Sequence, residues 1–169
     1  MTSPFTCVLD VRASLGECPV WSVAEQVLYW VDINAPSLNR FDPATGRNTV
    51  MPMPASIGCF ALRARGGFIV ALRDGIWLAR ADGTLEGRIA AAPYNPATHR
   101  FNDGRCDRQG RFLAGAMNEP RDASNAALWR VDAATVAAAN RAYDGRDSGP
   151  GTAARLDAGE ADDGLEDYQ

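Results

Sequence analysis

The sequence is short of the groups from which most catalytic and metal centres are built. Histidine occurs once, at His99, and the four cysteines, Cys7, Cys18, Cys59 and Cys106, lie far apart with no C-x-x-C spacing. That argues against a cysteine–histidine zinc centre and leaves reduced cysteines, buried on strands, as the expectation. There is no G-x-S-x-G elbow and no Cys–His pair, so no familiar covalent nucleophile is on offer. Basic residues are not in excess: 17 Lys+Arg against 21 Asp+Glu give a net charge of −4, with the signs interspersed. A nucleic-acid partner needs a basic patch to displace counterions, so none is expected. No apolar run approaches the roughly 20 residues of a membrane helix. The opening "MTSPFTCVLDVRASLGE" has neither the basic nor the apolar region of a secretory leader. A cytoplasmic protein with no membrane partner is the expectation. The first 132 residues show no convincing helical period.

What is present is a repeat. "SLNRFDPATG" (37–46), "GIWLARADG" (75–83) and "ALWRVDAAT" (127–135) are each a short alternating apolar run, then an aspartate, Asp42, Asp82 or Asp132, then turn residues. Upstream lie "VLYWVDI" (27–33), "GFIVALR" (67–73) and "RFLAGAM" (111–117), and before those "PVW", "CFAL" and "GRCD". Val, Ile, Phe, Trp and Tyr between clusters of Gly, Asp and Pro mark strands. The unit is strand, tight turn, strand, loop, strand, recurring every 40–50 residues or so, which is the range of β-propeller blades. In "VLYWVDI" one face carries Val27, Tyr29, Val31 and Ile33 and the other Leu28, Trp30 and Asp32, as expected of a strand sandwiched between blades. The fold class is therefore all-β, a partial propeller of about three blades spanning residues 1–132. Trp21, Trp30, Trp77 and Trp129 recur at strand positions and are expected to pack blades rather than stack on a sugar.

After Asp132 the composition changes. From Ala133 onward there is no Phe, Trp, Ile or Met, and the last ten residues are acidic. Residues 133–169 are expected to be a low-complexity acidic tail, disordered or weakly helical; of two explanations, a natural solvating tail or a reading that has passed out of the original fold, the second is favoured because such a tail cannot cover an open blade face. "ATVAAANRAY" favours helix by propensity but shows little apolar stripe to anchor it. A repeat array that stops there leaves open blade edges, through which the chain is expected to self-associate.

"LGECPVWSVAEQVLYWVDINAPSLNRFDPATG", followed by "RFNDGRCDRQGRFLAGAM", resembles the SMP-30/gluconolactonase/LRE family over about residues 5–132. The resemblance implies part of a six-bladed propeller with a divalent metal (Ca²⁺, Zn²⁺, Mn²⁺ or Mg²⁺) in its central channel. It also implies metal-assisted hydrolysis of aldonolactones to aldonic acids. It places the first metal ligand on Glu17, whose carboxylate is a hard oxygen donor. Arg100 and Asn102 fall on pocket-lining positions. Arg100 offers a planar fork of donors to sugar hydroxyls or a developing carboxylate, and Asn102 can orient a substrate oxygen or a metal-bound water. Glu119 lies close to an acidic substrate-contacting position, offset by one place. The plainer alternatives are a solvated loop acid at Glu17 and turn chemistry in Asn-Asp-Gly, and Asp103 and Gly104 are assigned to a turn. His99 matches no family position and is expected to be an exposed loop residue. The family's Asn of an "S-N-G-L" segment and base Asp of a "P-D-G" segment are missing, and "ADDGLED" (161–167) does not replace them. The function implied is thus a lactonase lineage impaired in this chain. The alternatives are a non-catalytic metal- or sugar-binding partial propeller and a non-functional truncated product.

Overall fold

The computed structural model describes residues 4–144. Their strands form three antiparallel sheets, each built from consecutive strands. The first comprises β1 (Gly16–Ser22), β2 (Val27–Asp32), β3 (Ser37–Asp42) and β4 (Arg47–Pro52), and the second β5 (Ile57–Leu62), β6 (Phe68–Leu72), β7 (Gly75–Ala79) and β8 (Leu85–Ala91). The third has β9 (His99–Cys106), β10 (Phe112–Asn118) and β11 (Leu128–Val131), and a helix, α1 (Ala133–Asp144), follows. These are the repeated units, now seen as meandering blades of a partial β-propeller. The first strands of the three sheets, β1, β5 and β9, touch one another and form the inner row.

Burial follows the alternation. Val27, Tyr29 and Val31 of β2 turn toward the second blade, where Tyr29, Phe60 and Phe68 pack edge to face with centroids 5.2–6.3 Å apart. The middle blade, flanked on both sides, is buried at every residue of β6. Phe101, Phe112 and Ala114 seal it against the third blade. Two glycines permit the close approach of the inner row. A Cβ on Gly58 would lie 2.4 Å from the backbone of Phe101, and one on Gly104 would lie 2.6 Å from Cys59 Sγ.

Each inner strand carries a bulge. In β1 the residues Cys18 and Pro19 oppose Trp30, in β5 Gly58 is the extra residue, and in β9 Asn102 and Asp103 oppose Gly115. Such a bulge re-aims side chains and kinks its strand. It also corrects the assignment of Asp103 and Gly104 to a turn. The turn falls later, where Asp107 Oδ1 accepts the N–H groups of Gln109 and Arg111 and Gly110 N donates to Asp107 O.

The repeated aspartates do two different things. Asp42 and Asp82 accept the N–H groups of Ala44 and Thr84 and turn the chain into a fourth strand. At Asp132 the main-chain carbonyl accepts from Thr135 and Val136 and the chain enters α1 instead. The apolar anchor found wanting in that helix is small but present: Val136 and Ala139, three residues apart on one face, pack against the core. Residues 145–169, with "ADDGLED", lie outside the described residues.

Cys18 and Cys59 are buried and reduced as expected, whereas Cys7 and Cys106 are exposed. Trp30 and Trp77 are half-buried and donate to Asn48 and Asp74. Trp21 is exposed, whereas Trp129, opposite Ala114, lines the seam between the second and third blades beside Ile76 and Ala90 and is only partly exposed.

Candidate functional site

Asp32 sets the inner end of the first blade. It is buried at the end of β2. Its carboxylate accepts four main-chain N–H groups, from Ser14, Leu15, Asn34 and Ala35. Burial alone would push its carboxyl up, but those four donors outweigh burial and hold it below the ordinary aspartate value. The loop so pinned leads into β1 and places Glu17 at its second position, exposed and lining a cleft of about 440 Å³ beside Asp10, Arg12 and Trp30.

Arg100, Asn102 and Glu119 converge. Arg100 is buried near the start of β9, and its Nη1 donates to Phe101 O and to Asn102 Oδ1, both at 2.9 Å. Its Nε lies 3.4 Å from Glu119 Oε1 just beyond β10. Burial, reinforced by the charge of Arg73, draws the Arg100 guanidinium below the usual arginine value against the opposing pull of Glu119 and Glu17. Of the residues expected at a site, Arg100, Asn102 and Glu119 are brought together, whereas Glu17 is seen in the cleft beside Asp10, Arg12 and Trp30.

A residue unforeseen in the sequence completes the cluster. Arg73, directly after β6, grips Glu119 in a two-pronged ion pair, Nη1–Oε2 at 2.6 Å and Nη2–Oε1 at 2.8 Å. Those bonds lead, and with the Arg100 charge they outweigh burial and hold the Glu119 carboxyl below the ordinary glutamate value. The signal available was thin: an arginine in "LRDG", which reads as an ordinary hairpin turn.

His99 is a correction. It is buried, not an exposed loop residue. Its ring stacks on Tyr94, Nδ1 meets Thr98 Oγ1 at 2.9 Å, and Nε2 meets Asn125 Oδ1 at 3.0 Å. Both ring nitrogens are engaged in tying the β10–β11 connection to β9, which is a structural task.

As to a metal, Glu17 is one suitable carboxylate, but a hard cation takes six or more oxygen donors. Among the described residues no group of three or more His, Cys, Asp or Glu side chains is arranged to hold an ion. The described residues therefore do not complete a cation centre. Among them, too, no helix is long and apolar enough to cross a membrane.

The chain is 52% identical over 133 residues to a 6-deoxy-6-sulfogluconolactonase of Pseudomonas putida, covering 79% of this chain and 46% of that protein. It is 36% identical over 128 residues to a pentonolactonase of Haloferax volcanii, covering 75% and 42%. Among solved structures, a calcium-binding regucalcin from Agrobacterium tumefaciens superimposes with a TM-score of 0.64 at 27% identity, covering 69% of this chain and 40% of that one. The chain thus spans less than half the length of these relatives. The model of the SMP-30/gluconolactonase/LRE-like region matches residues 15–157, past Asp132 and into the C-terminal stretch. By that match and by these relatives, the chain belongs to the SMP-30/gluconolactonase/LRE-like family.

Proposed function

We propose that the inner row of this chain is the lactone-binding part of a sugar lactonase, in which Arg100 and Asn102 hold the substrate and Glu119 orients Arg100. The observation that carries this reading is the convergence of those three side chains, drawn from two strands by a bulge and an ion pair. Hydrolysis adds water across the ester bond of the lactone, and negative charge develops on the carbonyl oxygen and then rests on the product carboxylate. Guanidinium and amide N–H groups are the donors suited to both. A lactone is an activated ester, which fits a site with no serine or cysteine nucleophile. Glu17 is proposed as one carboxylate ligand of a divalent cation, Ca²⁺, Zn²⁺, Mn²⁺ or Mg²⁺, whose other donors are not among the described residues. The substrates of the relatives suggest a hexonolactone, plain or with an anionic substituent, or a pentonolactone.

A second reading, binding without turnover, is favoured by the lack of a three-ligand group among the described residues. The array is read as ending at residue 132, with 133–169 as a separate tail. A cytoplasmic protein with no membrane partner is part of this proposal, and the acidic balance supports the lack of a nucleic-acid partner. Self-association through the open blade sides is supported by the exposure of Trp21, Val50 and Leu128.

Lactone hydrolysis followed by proton release, with each cation added in turn, tests the first reading. Impaired turnover is expected, since the cation donors beyond Glu17 are not among the described residues, and cation-dependent turnover above background would favour the first reading. Calorimetric binding of D-gluconate with no turnover would replace it by the second reading, and sedimentation of the same samples reads the oligomeric state.

A further inference from the structure

We propose that Arg73 is a positioning residue: by holding Glu119 through both carboxylate oxygens it fixes Arg100, and through Arg100 it sets which end of the Asn102 amide faces the ligand. This rests on the reading of Arg100 and Asn102 as lactone-binding groups. Besides its two bonds to Glu119, Arg73 donates from Nε to Ser56 Oγ at 3.1 Å and from Nη1 to the carbonyls of Pro96 at 3.0 Å and His99 at 3.4 Å. A planar fork held on several sides has one orientation, which a lysine ammonium cannot reproduce. Glu119 stands just past the end of β10, in an exposed stretch, its N–H donating to Thr98 O, and without that grip its carboxylate is left with the longer contact to Arg100. Held, it puts Oε1 3.4 Å from Arg100 Nε. Arg100 in turn gives Nη1 to Asn102 Oδ1. With the oxygen engaged, Asn102 presents its Nδ2 donors, so the relay selects a ligand oxygen as its partner.

Arg88 of β8 and Asp74 form an exposed ion pair at 3.3 Å in the same blade, away from Glu119, and Arg88 serves as the control. The test uses the full chain, with D-gluconate as the probe and two readouts: its dissociation constant, and the solvent exchange of the Asn102 side-chain amide protons by NMR. Arg73→Met is expected to weaken gluconate binding about tenfold and to quicken Asn102 exchange about tenfold, the equivalent of one charge-assisted hydrogen bond. Arg73→Lys recovers only part of this, and Arg88→Met changes neither. Because the links are in series, Arg73→Met combined with Glu119→Ala is no worse than either alone. A folded Arg73→Met protein with unaltered Asn102 exchange, or an additive double variant, would overturn the proposal. If Arg73→Met does not fold, Glu119→Ala must reproduce the Asn102 effect, and its failure to do so overturns the proposal equally. Failure of the unmodified chain to bind gluconate would sink the lactone reading instead, while the exchange readout still decides the relay.

Discussion

The second and third blades begin alike and end differently. Each opens on a bulged inner strand and runs through an apolar middle strand to a third strand closed by an aspartate. After Asp82 the chain turns back as β8, and β6 is buried throughout because a sheet lies on each side. After Asp132 it leaves as a helix, and β10 alternates between buried residues facing the second blade and half-buried ones facing away. Similar strands thus contribute very different stability according to whether a neighbouring blade covers them.

The largest expected effect sharpens that contrast. Phe68→Ala, at the centre of the edge-to-face cluster, should cost about 3–5 kcal/mol in urea denaturation. Leu128→Ala, on the third blade, should cost about 1 kcal/mol or less, since its side chain is already largely hydrated. Equal losses would break the comparison.

Next in size is the loop lock of the first blade. Asp32→Ala leaves four main-chain N–H groups without their acceptor and should destabilise by about 3 kcal/mol. The lock also has a pH signature. Its folded carboxyl lies below the ordinary value of 3.8, so its contribution is present above that value and is lost as pH falls through the folded one. Urea midpoints followed into acid should show this loss, and Asp32→Asn should remove it.

Glu119 should behave in the same sense, more weakly because it is partly exposed. Arg73 first, and Arg100 with it, hold its carboxyl below 4.5, so stability is lost as pH falls from there through the folded value. Glu119→Gln should flatten that part of the profile by a small, measurable amount. The smallest effect is at Trp21, where serine should change stability by about 0.5 kcal/mol or less yet reduce any self-association seen by sedimentation.

The first three strands of each blade could be read from the chain because alternation and turn chemistry agree there: "VLYWVDI" became β2 and "GFIVALR" became β6. The outer strands β4 and β8 were missed for a physical reason. In "RNTVMP" only Met51 is buried, and in "LEGRIAA" no residue is fully buried, so no period of two is imprinted. Arg100, Asn102 and Glu119 were visible through motif resemblance, but the bulge that aims Asn102 is a property of pairing with β10 and leaves no local mark. Arg73 and His99 were misjudged because their partners lie 46 and 26 residues away, at Glu119 and Asn125. A side chain buried by such distant contacts looks polar and exposed in one dimension.

The most direct test is Asn102→Ala in calorimetric titration with D-gluconate, read beside its thermal midpoint. Binding by the unmodified chain is expected, weakened about tenfold or more in the variant with the midpoint nearly unchanged. Equal binding by the variant would contradict the place given to Asn102 in the site.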